Sequence, residues 1–151
     1  KMNSEYTHIK HEFEPVFDKN SKILVLGTIP SVKSRENHFY YGHPQNRFWK
    51  VLAGVCQAEV PVSVEEKKAF LLANGIAVWD VIASCRIVGS SDSSIRDVAA
   101  NDVAGLLQNS RIEAVFCNGA KSWELYHRHV SGKRGSFHPR RRRMRHGRLN
   151  G

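Results

Sequence analysis

Three short apolar runs punctuate the chain: Lys22 to Gly27 (KILVLG), Ile76 to Ala83 (IAVWDVIA) and Ile112 to Cys117 (IEAVFC). Their apolar residues are nearly continuous rather than alternating, so both faces of each segment must be buried. That is the habit of strands in a parallel sheet sandwiched by helices. Helical patterns lie between the runs. Phe48, Leu52 and Val55 recur at helical spacing after Asn46, and Ser63 with Glu66 makes a capping box opening a helix that Gly75 can end. A short helix fits Asp102 to Asn109, and another fits Lys121 to Val130, where Trp123, Tyr126 and Val130 share a face. Strand, helix and strand in this order predict an α/β domain of three layers, αβα, around a mainly parallel central sheet.

The 151 residues suffice for one such domain, expected over 1–130, followed by an Arg-rich tail over 131–151. The formal charge of +9 is lopsided: from Lys133 onward there are eight basic residues and no acidic one, leaving a net charge of +1 over the first 132 positions. A nucleic-acid argument from charge alone therefore rests on the tail. The three cysteines, Cys56, Cys85 and Cys117, are odd in number and widely spaced, which disfavours a disulfide framework or a zinc site and predicts buried free thiols. No apolar run approaches a membrane span and no signal-peptide pattern is visible, so the expectation is a soluble, cytoplasmic protein without membrane partners.

In doubly wound folds, loops after the carboxyl ends of the strands carry the site. Those loops are Thr28 to Asn46, Ser84 to Asp97, and Asn118-Gly119. The first is long for a βα connection and places Phe39, Tyr40 and Tyr41 beside His43 and Asn46. Flat aromatics next to a polar amide suit an extruded nucleobase, which must regain stacking and edge hydrogen bonds; the same aromatics could equally cover one edge of the core.

The stretch Gly27-Thr28-Ile29-Pro30 followed by Tyr41-Gly42-His43-Pro44-Gln45-Asn46-Arg47-Phe48-Trp49 resembles the mismatch-specific uracil and thymine glycosylases. Those enzymes have a Gly-x-Asn-Pro turn, then an aromatic and a His-Pro-x-Asn-Arg-Phe-Trp segment. The wording PSVKSRE followed by FYYGHPQNRFW, with VWDVIASC and FCNGAKSW, is more similar still to the hypoxanthine (deoxyinosine) branch of the uracil-DNA glycosylase superfamily. One departure stands out. The relatives' turn offers an Asn that positions the attacking water, and here Ile29 occupies that place. The hypoxanthine branch also lacks that Asn, and its catalytic Asn falls at Asn46, which could alternatively be a helix N-cap.

The resemblance implies hydrolysis of a purine N-glycosidic bond in double-stranded DNA by a monomer, in base-excision repair. Asn46 would be catalytic, with Gly27, Thr28, Pro30, Ser31, Tyr41, His43 and Asn118 binding substrate; no metal or cofactor is required. Within this scheme Asn46 orients water, the backbone N–H groups of the Gly27-Thr28 turn receive charge on the departing base, Tyr41 stacks on it, and Asn118 binds its edge. Asn118 could also be no more than a turn residue, and His43 a rigid neighbour of Pro44. Alternatives are a uracil or thymine mismatch glycosylase, and a DNA-binding relative without catalysis. Asp80 and Asp97 suggest a rival carboxylate mechanism, but nothing pairs them in sequence and both read as structural. The superfamily's C-terminal Ser-containing loop is missing from SGKRGSFHPRRRRMRHGRLNG, where His138-Pro139 is only an echo of it. The ending therefore reads as truncated or frame-shifted, with the last strand and helix of the sheet expected to be absent and an apolar edge uncovered.

Overall fold

The computed structural model describes residues 5–11, 13–30, 39–42, 46–89, 91–131 and 145–149. In chain order the elements are β1 (Thr7–Lys10), β2 (Ile23–Gly27), α1 (Phe48–Cys56), α2 (Val64–Ala73), β3 (Ile76–Asp80), β4 (Ile82–Ile87), β5 (Arg96–Ala100), α3 (Val103–Gln108), β6 (Ala114–Asn118), α4 (Ala120–Tyr126) and β7 (Arg145–Leu149). Strands β3, β2, β6 and β7 form a four-stranded sheet in that order, with every pairing parallel. Alternation along β2 divides the core between the two faces. Leu24 and Leu26 point into a cluster with Val103 and Leu107 of α3 and Leu125 and Tyr126 of α4. Val25 points the other way, into a cluster with Trp49 and Ala53 of α1 and Phe70 and Leu71 of α2. This is the three-layer αβα arrangement.

Local signals explain most of the helices. Ser63 Oγ accepts from the Glu66 N–H at 3.0 Å while Glu66 Oε1 accepts from the Ser63 N–H at 3.2 Å, a complete capping box at the start of α2. Gly75, at φ +69°, supplies the left-handed residue that turns the chain from α2 into β3. Asp102 caps α3 through the Gly105 N–H. The Lys121 to Val130 pattern is α4 plus a π-turn over His127–Ser131, with Tyr126 and Val130 buried and Trp123 partly so. In α1 the buried residues are Trp49 and Ala53, while Val55 is 75% exposed. The expected face of Phe48, Leu52 and Val55 is thus rotated: the i, i+4 pair Trp49 and Ala53 meets the sheet, and Val55 projects to solvent.

Two expectations need correcting. The run Ile76 to Ala83 is two strands rather than one: the chain leaves the parallel sheet at Val81, and β4 pairs antiparallel with both β1 and β5 in a separate three-stranded sheet. Much of Ser84 to Asp97 is therefore strand and a 3-10 turn (Asp92–Ser94), not a loop. The expected loss of the last strand is also corrected. β7 pairs with β6 from Ala114↔Arg145 to Asn118↔Leu149, and the Arg145 N–H donates to Glu113 O at 2.9 Å. Charged residues on β7 suit an edge strand, where the outer row of backbone groups must deter further pairing. Gly147 is what lets Phe116 lie across it, since a Cβ there would approach Phe116 Cδ1 to 2.7 Å. His138-Pro139 and the Arg140–Arg143 run lie outside the described residues.

The cysteines are free; Cys85 and Cys117 are buried and Cys56 partly so. Burial pushes the Cys117 thiol up to about 11, which keeps it protonated. Among the described residues no helix is long and apolar enough to cross a membrane.

Candidate active site

The carboxyl ends of β2, β3 and β6 lie side by side, so their terminal residues Gly27, Asp80 and Asn118 share one rim of the sheet. The turn after β2 is fixed there by its carbonyls: Gly27 O accepts from the Val81 N–H at 2.9 Å and Thr28 O from the Ile82 N–H at 3.1 Å. A cleft of about 210 Å³ opens above this rim, lined by Gly27, Thr28, Ile29, Pro30, Tyr40, Tyr41, Asn46, Asp80, Asp92 and Asn118. It is small beside the roughly 300–1,000 Å³ of common ligand pockets. Its scale suits a single flat ring system.

Six of the residues selected from the sequence meet in this cleft: Gly27, Thr28, Pro30, Tyr41, Asn46 and Asn118. The other two, Ser31 and His43, lie outside the described residues. Tyr41 has φ +52°, a left-handed backbone that a bulky residue adopts only when its surroundings enforce it. They do so in three ways. The ring stacks on Phe48, with centroids 3.8 Å apart; its carbonyl accepts from Trp49 Nε1 at 3.1 Å; and its hydroxyl accepts from Asn118 Nδ2 at 3.4 Å. One face of the Tyr41 ring is thereby occupied by Phe48. Burial, and next the Asp80 charge, push its phenol pKa well up, so Tyr41 is a neutral hydroxyl in this site.

Asn46 is exposed on the cleft wall, and its Oδ1 accepts from the Phe48 N–H at 2.8 Å, with Arg47 at the N-cap position of α1. The side chain therefore closes an Asx turn that starts the helix. An amide oxygen has two lone pairs, and the second remains for a ligand.

Sequence reasoning missed the most buried polar feature of the cleft. Asp80 is 4% exposed, and its Oδ2 lies 2.9 Å from His11 Nε2, a side chain equally buried. The Phe13 N–H donates to His11 Nδ1 at 3.1 Å, so the neutral ring carries its hydrogen on Nε2 and donates it to Asp80. Burial drives the Asp80 pKa up, opposed by the hydrogen bond from His11. Oδ1 lies against Gly27, where a Cβ would overlap it, and only glycine fits. Sixty-nine residues separate His11 from Asp80, and β1 carries no strong apolar pattern, so no local signal announced the pair. Asp97, the other carboxylate weighed from sequence, is elsewhere: it sits on β5 beside Arg86 at 3.5 Å, both well exposed. Among the described residues no group of three or more His, Cys, Asp or Glu side chains could hold a metal ion.

Comparison with known proteins agrees with this geometry. The Uracil DNA glycosylase superfamily profile matches residues 14–150, a span that includes β7. A hypoxanthine DNA glycosylase from Methanosarcina barkeri (strain Fusaro / DSM 804) is 34% identical over 117 residues, covering 76% of this chain and 74% of the relative. Another from Methanosarcina acetivorans is 36% identical over 118 residues, covering 77% and 75%. The solution NMR structure of a candidate uracil DNA glycosylase from Methanosarcina acetivorans superposes with a TM-score of 0.72 at 34% identity, covering 83% of this chain and 78% of the other. A strand-end cleft, a matching turn and loop, and relatives that span most of the chain place this protein in the uracil-DNA glycosylase superfamily.

Proposed function

We propose that this chain is a monofunctional DNA glycosylase that captures a flipped hypoxanthine in double-stranded DNA and hydrolyses its N-glycosidic bond as a monomer in the cytoplasm. The observation that carries the reading is the convergence of Gly27, Thr28, Pro30, Tyr41, Asn46 and Asn118, from the end of β2 with its following loop and from the end of β6, on one small cleft. Relatives named hypoxanthine DNA glycosylase supply the base. In this reading the free face of Tyr41 stacks on the base, the Asn118 amide reaches its edge, and the Asn46 amide oxygen orients the water that attacks C1′. Backbone N–H groups of the Gly27-Thr28 turn receive charge on the departing base, in the manner of an oxyanion hole. Ser31 and His43 are assigned to substrate binding by the resemblance of their loop alone.

The test is single-turnover base release from inosine-, uracil- and thymine-mismatch duplexes, run on the parent chain, Asn46→Ala and Asn46→Asp. Hypoxanthine should be the base released. Asn46→Ala should lose at least about 100-fold in rate with DNA affinity little changed. Asn46→Asp keeps an acceptor for the Phe48 N–H and should retain more. If Asn46→Ala cuts at near-parental rate while its Tm falls, the Asx turn is the whole role of Asn46; release of uracil or thymine in place of hypoxanthine would move the substrate.

A further inference from the structure

A carboxyl group buried at the bottom of a base pocket has two oxygens, and here their surroundings differ. Oδ2 of Asp80 receives the Nε2–H of His11, whose tautomer the Phe13 N–H fixes from the other side of the ring. A proton on Asp80 cannot sit on Oδ2, where it would face that N–H, and is directed to Oδ1. Oδ1 lies against Gly27 on the cleft wall, and among the described residues nothing hydrogen-bonds it. His11 thus holds the carboxyl in one orientation and keeps the proton on the side of the ligand. We propose that Asp80 is the general acid for the departing purine, delivering a proton from Oδ1, and that His11 is its positioning residue. The proposal rests on the reading of the cleft as a hypoxanthine pocket and goes beyond it, because loss of a purine as an anion requires no such acid.

The C1′–N9 bond breaks and its electron pair passes to the purine, where the turn N–H groups stabilise the charge as it develops; the Oδ1 proton of Asp80 then moves to N7, so the base leaves neutral. Water held at Asn46 adds to C1′ and releases its spare proton to solvent, and solvent returns one to Asp80. Among the described residues, the groups facing the carboxyl favour its neutral form. Burial raises its pKa above the ordinary carboxylate range, and the largest opposing influence is His11. Tyr40 and Tyr41, the neighbouring phenols, are both shifted upward, chiefly by burial and next by Asp80, and stay neutral. Asp92 lines the same cleft from its exposed rim and adds no positive charge that would ionise Asp80.

The experiment is the pH dependence of single-turnover hypoxanthine release by the parent, Asp80→Asn and His11→Leu, with inosine-duplex affinity and Tm measured alongside. The parent rate should fall as pH rises through the Asp80 pKa. Asp80→Asn can still accept the His11 N–H and should fold and bind, yet lose about 100-fold in rate together with that alkaline limb. His11→Leu removes the interaction that favours the carboxylate, so its limb should move to higher pH, the opposite of what a merely loosened site would do. His11→Gln, which restores an N–H donor, should return the limb toward the parental position. Parental activity with an Asp80→Asn rate within a few-fold and an unchanged limb overturns the acid assignment alone. A parent that releases no hypoxanthine at any pH overturns the functional reading beneath it.

Discussion

The two sheets differ in how much of their structure is buried, and their carboxylates follow suit. In the parallel sheet, β2 and β3 are covered by helices on both sides, with Leu24, Leu26, Ala77 and Val78 at 0% exposure, and the carboxylate at its end, Asp80, is enclosed with a histidine. In the antiparallel sheet, the outer strands β1 and β5 are largely exposed, and Asp97 and Arg86 meet with 67% and 57% of their side-chain surface in solvent. One aspartate is held where its charge is costly and its proton useful. The other is solvated, and its ion pair is screened.

The largest effect should come from removing volume in the better covered sheet. Leu24→Ala leaves a cavity between β2 and the helices on that face and should cost about 2–5 kcal/mol. Val98→Ala, a half-buried site on β5, should cost about 1 kcal/mol, near the centre of ordinary substitutions. Denaturant unfolding checks both. Equal costs would mean that the antiparallel sheet contributes as much core as the parallel one, and the contrast would fail.

That contrast also explains what could be read in advance. KILVLG, IAVWDVIA and IEAVFC announce buried strands because a strand covered on both faces is nearly continuously apolar, and the αβα layering follows, although only Ile76–Asp80 of the second run stays in the parallel sheet. Thr7–Lys10 and Arg96–Ala100 are held by backbone pairing to β4 with little apolar content, so no periodicity marks them. β7 is hidden for a related reason: Arg145, His146 and Arg148 make it a charged segment that satisfies its backbone through β6, with no apolar run to announce it. In the cleft, residues of the Gly27–Asn46 loop were legible through their motif, and Asn118 through its place after a strand. The His11–Asp80 pair was not, because it exists only once β1 and β3 are brought together.

The edge of the parallel sheet offers a smaller test. Gly147→Ala places a methyl against the Phe116 ring, which is only half-buried and can turn aside, so the cost should be about 1 kcal/mol. An unpaired β7 would tolerate or welcome the same change, since alanine restricts the unfolded chain. Unchanged stability in Gly147→Ala would therefore remove β7 from the folded sheet. A gentler probe is pH. Burial, and then the charge of His127, hold His146 below its ordinary pKa, and Tyr126 Oη lies 3.2 Å from its Nε2. A depressed folded pKa means that the stabilisation is present above the ordinary histidine range and is lost as pH falls through the folded value. Amide exchange across β7 should quicken on acidification through that range, and His146→Gln should flatten the response.

The smallest effect is expected at Asp97, and it bears on the whole contrast. An exposed ion pair at 3.5 Å gains little Coulomb energy in water and must order two side chains, so pairs of this kind contribute about 0–1 kcal/mol. Asp97 has a second role in its backbone, which lies at φ +55°, a conformation that Asp and Asn tolerate far better than β-branched residues. The two roles separate by substitution. Asp97→Asn discards the charge and keeps the left-handed residue, so Tm and hypoxanthine release should both stay near parental and should not depend on salt. Asp97→Val discards both, and the φ +55° backbone should then cost about 1–3 kcal/mol while the rate per folded molecule is unchanged. If Asp97→Asn lowered the release rate as Asp80→Asn is expected to do, the two carboxylates would act together in catalysis, and the separation between a chemical and a solvated aspartate would be wrong.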